Sequence, residues 1–426
     1  MESLLKFLDA SPVNFLAVHN IVSELKNAGY REFDPTQTLE IKAGDKFFVT
    51  KNGSSVYAFE TGTAPLSDSS FHMICAHCDS PTFRIKPNGE MKGEGGIVRL
   101  NTEVYGGPIM STWFDRPLTI AGRVIVKGDD AMHPKSLLLH VKRPLLQIAN
   151  LAIHFNRAVN DGVKLSKQKD MLPILGIING ELEKEGLLMS IICQELKVDR
   201  AEILDFDLYL ADATPACTFG AHDEFISSGR LDDLSMCHAG LQALLHSGKS
   251  ATTKVLAIFD NEETGSQTKQ GAGSPFLASL LQRIAVAQGG GMESFHRAVE
   301  QAFMVSADNA HAWHPNYNEK YDPSNHPVLG GGPVIKFNAS QKYASDAVSA
   351  AVFAEICREA GVPCQRFVNH SDVAGGSTLG NILASSLPVK GVDMGNPILA
   401  MHSCRETGSV ADHAFCIKAF TRFYEQ

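Results

Sequence analysis

Acids and histidines collect beside apolar segments in the outer parts of this 426-residue chain: His77 and Asp79 in AHCDSP, Asp232 in GRLDDL, the pair Glu262 and Glu263 in FDNEETGS, Asp308 in SADNAH and His402 in AMHS. Most follow, or lie close after, a run of apolar residues; Asp232 instead precedes one. Imidazole and carboxylate together suit zinc, and two zinc ions about 3.5 to 4 Å apart form a hydrolytic site in which one carboxylate bridges both. The ligand arithmetic fits such a pair, with His77 and Asp308 for one ion, Glu263 and His402 for the other, and Asp232 between them. Glu262 is then left over. Adjacent side chains at a strand end point in different directions, so Glu263 can hold metal while Glu262 faces the water as general base. Asp79, two residues from His77, falls on the same side of an extended strand, placed to accept the imidazole N–H and fix the tautomer that binds metal.

Taken singly, each signal has a plainer explanation. Two adjacent glutamates read as a solvated acidic loop, a lone His-x-Asp as structural, and a Ser-Ala-Asp turn as a helix cap. Their joint occurrence at several strand ends moves the reading to a metal centre, whose positive charge also makes an acidic pair tolerable. The elements that position them follow from the pattern. Val255 to Phe259 is a short continuous apolar run, which predicts a strand buried on both faces of a parallel sheet. Its polar continuation, Asp260 to Glu263, then lies at the strand's C-terminal end, where α/β sheets gather ligands.

The first thirty residues read as one or two amphipathic helices, and residues 38–61 as two β-segments around Asn52-Gly53, a strong hairpin signal. From about Pro81 to about residue 220 the chain is rich in Gly, Val, Ile and Thr with short breaks, an all-β signature. Alternation then returns, with a helix near 275–304, a strand at AFMVSADNAHA, a helix near 341–361 and a terminal helix from about Asp412. The economical architecture is α/β: an α/β/α sandwich with a mostly parallel central sheet, built from 1–81 and 223–426, with a β-rich domain inserted at 82–222.

Bulk properties exclude several classes. The net charge of −9 argues against a general affinity for nucleic acid, whose phosphates demand a basic surface. The N-terminal apolar residues are interrupted by acids and by Pro12, a poor signal peptide and a poor membrane span. The nine cysteines are mostly scattered. The one CxxC, Cys75 to Cys78, has no second pair to complete a zinc ribbon, and on an extended strand its thiols point to opposite faces. Reduced thiols in a cytoplasmic protein are the simplest expectation.

These residues also carry a resemblance. AHCDSP, SGRLDD, FDNEETGS, SADNAHA, GPVIKFN, QKYASDA and LAMHSCRE stand in the order of the aspartyl aminopeptidase family of dinuclear zinc exopeptidases and cover nearly the whole chain. The resemblance implies metal ligands at His77, Asp232, Glu263, Asp308 and His402, with Glu262 as acid/base. It implies that the inserted domain serves dimerisation and that subunits assemble into tetrahedral homododecamers. It places a histidine of the insert, here His154, at a neighbouring subunit's active site, for which an oxyanion role is favoured over a metal contact. His311, Lys336 and Tyr343 match positions that line the family's substrate pocket, where the Lys336 ammonium would pair with an N-terminal Asp or Glu side chain. The segment VNHSDVAGGSTLGNI matches the family's loop only in outline, with Asp372, Gly376 and Thr378 as nearest equivalents.

The expected activity is therefore zinc-dependent release of an N-terminal residue from peptides, with an acidic preference. Cobalt or manganese would also suit such ligands. The competing expectations are an aminopeptidase of broader or neutral specificity, a dinuclear deacylase of N-acyl amino acids, and a non-catalytic assembly protein on the same fold. Glu262, a carboxylate spare to the ligand set, speaks against the last.

Overall fold

Thr253–Phe259 is a strand in which every residue is buried. Val255, Ala257 and Phe259 enter one hydrophobic core while Leu256 and Ile258 enter another, so the unbroken apolar run is the signature of a strand covered on both faces. The structure is a computed structural model that describes residues 1–178 and 186–426. Its chain divides into two compact units.

The first unit comprises Met1–Asp79, Ala216–Met401 and Glu406–Gln426. A nine-stranded sheet runs through it. Four central strands are mutually parallel, in the order Thr253–Phe259, Phe71–His77, Phe303–Ala307 and Lys390–Gly395. One core is covered by helices Glu2–Ala10, Asn14–Asn27, Leu231–His246, Ala347–Glu359 and Val410–Tyr424. The opposite core is covered by Phe276–Ala287, Gly291–Gln301 and Leu379–Ser386. This is the α/β/α sandwich that the strand pattern predicts.

The hairpin at Asn52-Gly53 joins antiparallel strands Lys46–Lys51 and Ser55–Glu60, both turn residues having the positive φ that such turns require (58° and 65°). The single helix expected near 275–304 is two helices. Gly289 and Gly291 take φ of 80° and 67°, which breaks the helical path between them. Cys75 packs in one core and Cys78 in the other, and all nine cysteines are free thiols.

The second unit comprises Ser80–Pro215 and His402–Arg405. Its six-stranded sheet is antiparallel throughout, in the order Lys135–His140, Leu118–Val126, Ile203–Asp212, Thr82–Lys92, Ile97–Tyr105 and Ile174–Ile177. With the helix Leu187–Leu196 it builds a core of its own. The sequence pattern does not anticipate that 402–405 group with this unit. They do so through backbone and side-chain bonds, Ile109 N donating to His402 O (2.9 Å) and Cys404 N to Thr112 Oγ1 (2.8 Å), and Cys404 enters the unit's core. Among the described residues no helix is long and apolar enough to cross a membrane.

Candidate metal centre

The parallel strands of the first unit end together. Phe259 is in register with His77, and Ser306 with Cys75, so the residues just beyond these strands, 78–79, 260–263 and 308–309, emerge at one edge of the sheet. Asp232 and Asp233 arrive from elsewhere, at the start of Leu231–His246, where neither has helical backbone angles and the peptide joining them is cis. One ligand atom from each of His77, Asp232, Asp233 and Asp308 lies within 4.8 Å of the others, and all four residues are buried. A second set within the same limit is His77, Glu262 and Glu263.

His77 is the hinge of both sets. Its Nε2 lies 3.6 Å from Asp232 Oδ1, while Nδ1 lies 3.1 Å from the backbone oxygen of Asp79 and 3.4 Å from Asp79 Oδ1. Occupation of Nδ1 by Asp79 leaves Nε2 turned to the carboxylates, as metal ligation through that nitrogen needs. Asp79 also does something the sequence did not reveal. Its Oδ1 accepts the amide N–H of Glu262 and its Oδ2 that of Glu263, each at 3.1 Å. The 3₁₀ turn Glu262–Thr264 is thus pinned from below by the residue that orients His77. The flanking Asn261 and Gly265 supply left-handed backbone (φ 61° and 96°) that lets the chain turn so sharply.

The electrostatics are those of a site short of cations. Burial pushes the Glu262 carboxyl up to about 8, with Asp308, Asp79 and Asp232 reinforcing the shift against His77. Burial likewise raises Asp233 well above the usual carboxylate range and Asp308 above it. Burial pulls the His77 imidazole down, but Asp232, Asp233 and Asp79 outweigh it and hold it well above its ordinary value. One imidazole among buried carboxylates is a donor set that fits a zinc-type divalent cation, and the charge imbalance is what such a cation would relieve.

Lys336, on the strand Val334–Phe337, is buried, and its Nζ stands 3.3 Å from Asp308 Oδ1 and 5.3 Å from the centre of the Tyr343 ring. Tyr343 is itself buried, whereas His311 is exposed with its ring edge toward Phe367 at 5.9 Å. Thr378 is buried, its hydroxyl donating to Asp393 Oδ1 at 2.6 Å, while Asp372 and Gly376 lie exposed in the preceding loop. His402 belongs to the second unit, with Nδ1 3.1 Å from the Gly107 carbonyl. His154 lies in an exposed turn of that unit beside exposed Ile153 and Phe155.

Two residues of the cluster escaped sequence reasoning. Asp233 accepts the backbone N–H of His77 on Oδ2 at 3.2 Å; its only signal was the Asp-Asp doublet. Buried Asn309 donates to the Leu231 carbonyl at 2.7 Å and to Ser235 Oγ at 3.0 Å, tying the segment after Asp308 to the start of the helix that carries Asp232.

Comparison with known proteins identifies the family. Residues 7–424 match the family described as aminopeptidase I zinc metalloprotease (M18). A probable M18 family aminopeptidase 2 of Clostridium acetobutylicum is 52% identical over 423 residues, 99% of this chain and 98% of the relative. Among solved structures, the cryo-EM structure of the Ape4 and Nbr1 complex gives a TM-score of 0.95 at 35% identity, covering 99% of this chain and 85% of the other. The mApe1 dodecamer of S. cerevisiae shares the fold at a TM-score of 0.87 and 24% identity, over 99% and 95% of the chains. The chain belongs to the M18 family of zinc metalloproteases and is a metallo-aminopeptidase.

Proposed function

We propose that the protein hydrolyses the N-terminal peptide bond of peptides, preferring Asp or Glu at that position, with two zinc ions held by His77, Asp232, Glu263, Asp308 and His402. The observation that carries the reading is the buried cluster of His77, Asp232 and Asp308 with the Glu262–Glu263 turn beside it, its two amides held by one carboxylate. Zinc, when bound, supplies Lewis acidity that lowers the pKa of water and polarises a carbonyl. Glu262 takes the proton of the attacking water and returns it to the leaving amine, acting as general base and then general acid. Asp79 orients both His77 and the turn that carries Glu262. His402 as ligand and His154 as oxyanion donor rest on the sequence motifs, as do a dimerisation role for the inserted unit and a tetrahedral homododecamer in the cytoplasm. Assembly is further supported by the dodecameric state of the S. cerevisiae relative.

The preference for acidic residues rests on Lys336, a buried ammonium beside Tyr343, with His311 on the short strand Ala310–His311. Its test is the release rate from peptides beginning with Asp, Glu, Leu and Lys, with N-acyl amino acids in the same panel. Faster release of Asp and Glu is expected. Release confined to Leu or Lys would remove the acidic preference, and turnover of the acyl amino acids alone would favour the deacylase.

Asp79 gives a second expected result. Asp79→Asn turns an amide N–H₂ against one of the two backbone N–H donors of the turn and weakens the hold on His77. Activity should fall about 10- to 100-fold, the usual effect of losing an outer partner of a metal site. Unchanged activity with native circular dichroism would show that the turn holds itself.

A further inference from the structure

We propose that Lys336 is a positioning residue for Asp308, holding that carboxylate and the backbone beneath it in place for metal. The inference rests on the reading of Asp308 as a zinc ligand and adds to the pocket role considered for Lys336 above. An ammonium carries three N–H donors. Here three oxygens surround it: the Asp308 carbonyl at 2.7 Å, the Asn309 carbonyl at 3.2 Å and Asp308 Oδ1 at 3.3 Å. The side chain is 3% exposed, so every donor must find its acceptor inside the protein. Lys336 therefore gives two hydrogen bonds and an ion pair to the segment that follows the strand Phe303–Ala307.

The surroundings confirm that this segment is held from several sides. The strand of Lys336 pairs antiparallel with Lys390–Gly395, placing Val334 opposite Gly395, and Asp308 N donates to the Met394 carbonyl at 2.9 Å. A Cβ at Gly395 would come within 1.9 Å of the Asp308 carbonyl oxygen, so only glycine lets the backbone approach that carbonyl so closely. Asn309 is in turn bonded to the Leu231 carbonyl. The ammonium engages one carboxylate oxygen of Asp308 and leaves the other to a metal, while its two carbonyl contacts fix the direction of the Cα–Cβ bond. In the absence of zinc the same ammonium is ion-paired to this cluster.

The test uses the full chain carrying Lys336→Met and, as a milder change, Lys336→Arg, whose planar fork cannot direct donors at the same three oxygens. Zinc affinity, measured by competition with a chromophoric chelator, should fall about 10- to 100-fold in Lys336→Met and less in Lys336→Arg. Release of Leu at limiting zinc should fall with it. A residue that only recognised acidic substrates would leave both untouched and depress Asp release alone; that result overturns the proposal. Should Lys336→Met fold poorly, the zinc-free double variant Lys336→Met/Asp308→Asn decides. Recovery of much of the lost urea midpoint is expected, because the stranded carboxylate is gone, and additive losses would overturn the pairing. If the unaltered protein takes up no zinc, the reading of Asp308 as a ligand fails and the proposal with it.

Discussion

Glu262→Gln should reduce turnover by about 10² to 10⁴-fold while zinc remains bound and the fold is unchanged, the range expected when a general acid–base group is lost. Glutamine has the size and shape of glutamate and can still hydrogen-bond water, but it cannot accept a proton from it. The amide N–H groups that hold this turn belong to the backbone and go to Asp79, so the substitution leaves them in place. Burial already lifts the Glu262 carboxyl to about 8 in the metal-free protein, which marks it as a group able to hold and release a proton near neutrality. Metal content by elemental analysis alongside steady-state kinetics checks the prediction. The neighbouring change Glu263→Gln should act differently, lowering zinc content first and activity as a consequence. Equal zinc loss in both variants would mean that the two glutamates share ligation and that the general base lies elsewhere.

That Glu262 and Glu263 stand just beyond a buried strand is readable in the sequence, because the apolar run Val255 to Phe259 fixes where the strand ends and the carboxylates begin. The same logic exposes His77, the last residue of its short apolar strand, and Asp308, just past its own. What pattern could not show was contact across long stretches of chain. Asp79 meets the amides of residues more than 180 positions away, and no local preference encodes that. The Asp232-Asp233 doublet hid its second member because adjacent residues look alike in sequence, and only packing decides that both are buried. Gly395 is a comparable case: one glycine among many, yet placed where any side chain would strike the Asp308 carbonyl. The grouping of His402–Arg405 with the inserted unit is likewise set by tertiary bonds to 109 and 112, while the segment's composition is unremarkable.

Removing zinc should cost stability as well as activity, and the cost should grow as pH rises. A ligand at about 100 times its dissociation constant stabilises the folded state by about 2.7 kcal/mol. For a unit of this size that corresponds to a fall in melting temperature of roughly 4 to 5 °C on chelation, reversed when zinc is restored. The sign of the pH effect follows from the folded-state shifts. Glu262 is raised from an ordinary 4.5 to about 8, and Asp233 and Asp308 are raised above 3.8, so the folded metal-free protein binds protons more tightly than the unfolded chain. For such acids the folded state is favoured while they stay protonated, and stability is lost as pH climbs from the unfolded value through the folded one. His77, also raised above its ordinary 6.5, contributes stability that is complete below that value and is lost as pH passes its folded value, so it acts in the same direction. Metal-free protein should therefore melt at progressively lower temperature between about pH 5 and about pH 8, while the zinc-loaded protein, whose carboxylates are neutralised by metal, should change far less. Differential scanning fluorimetry across that window, with and without chelator, reads both effects. Coincident curves for the two forms would mean that these buried carboxylates are compensated within the protein, and the cluster would lose its claim to be a metal site.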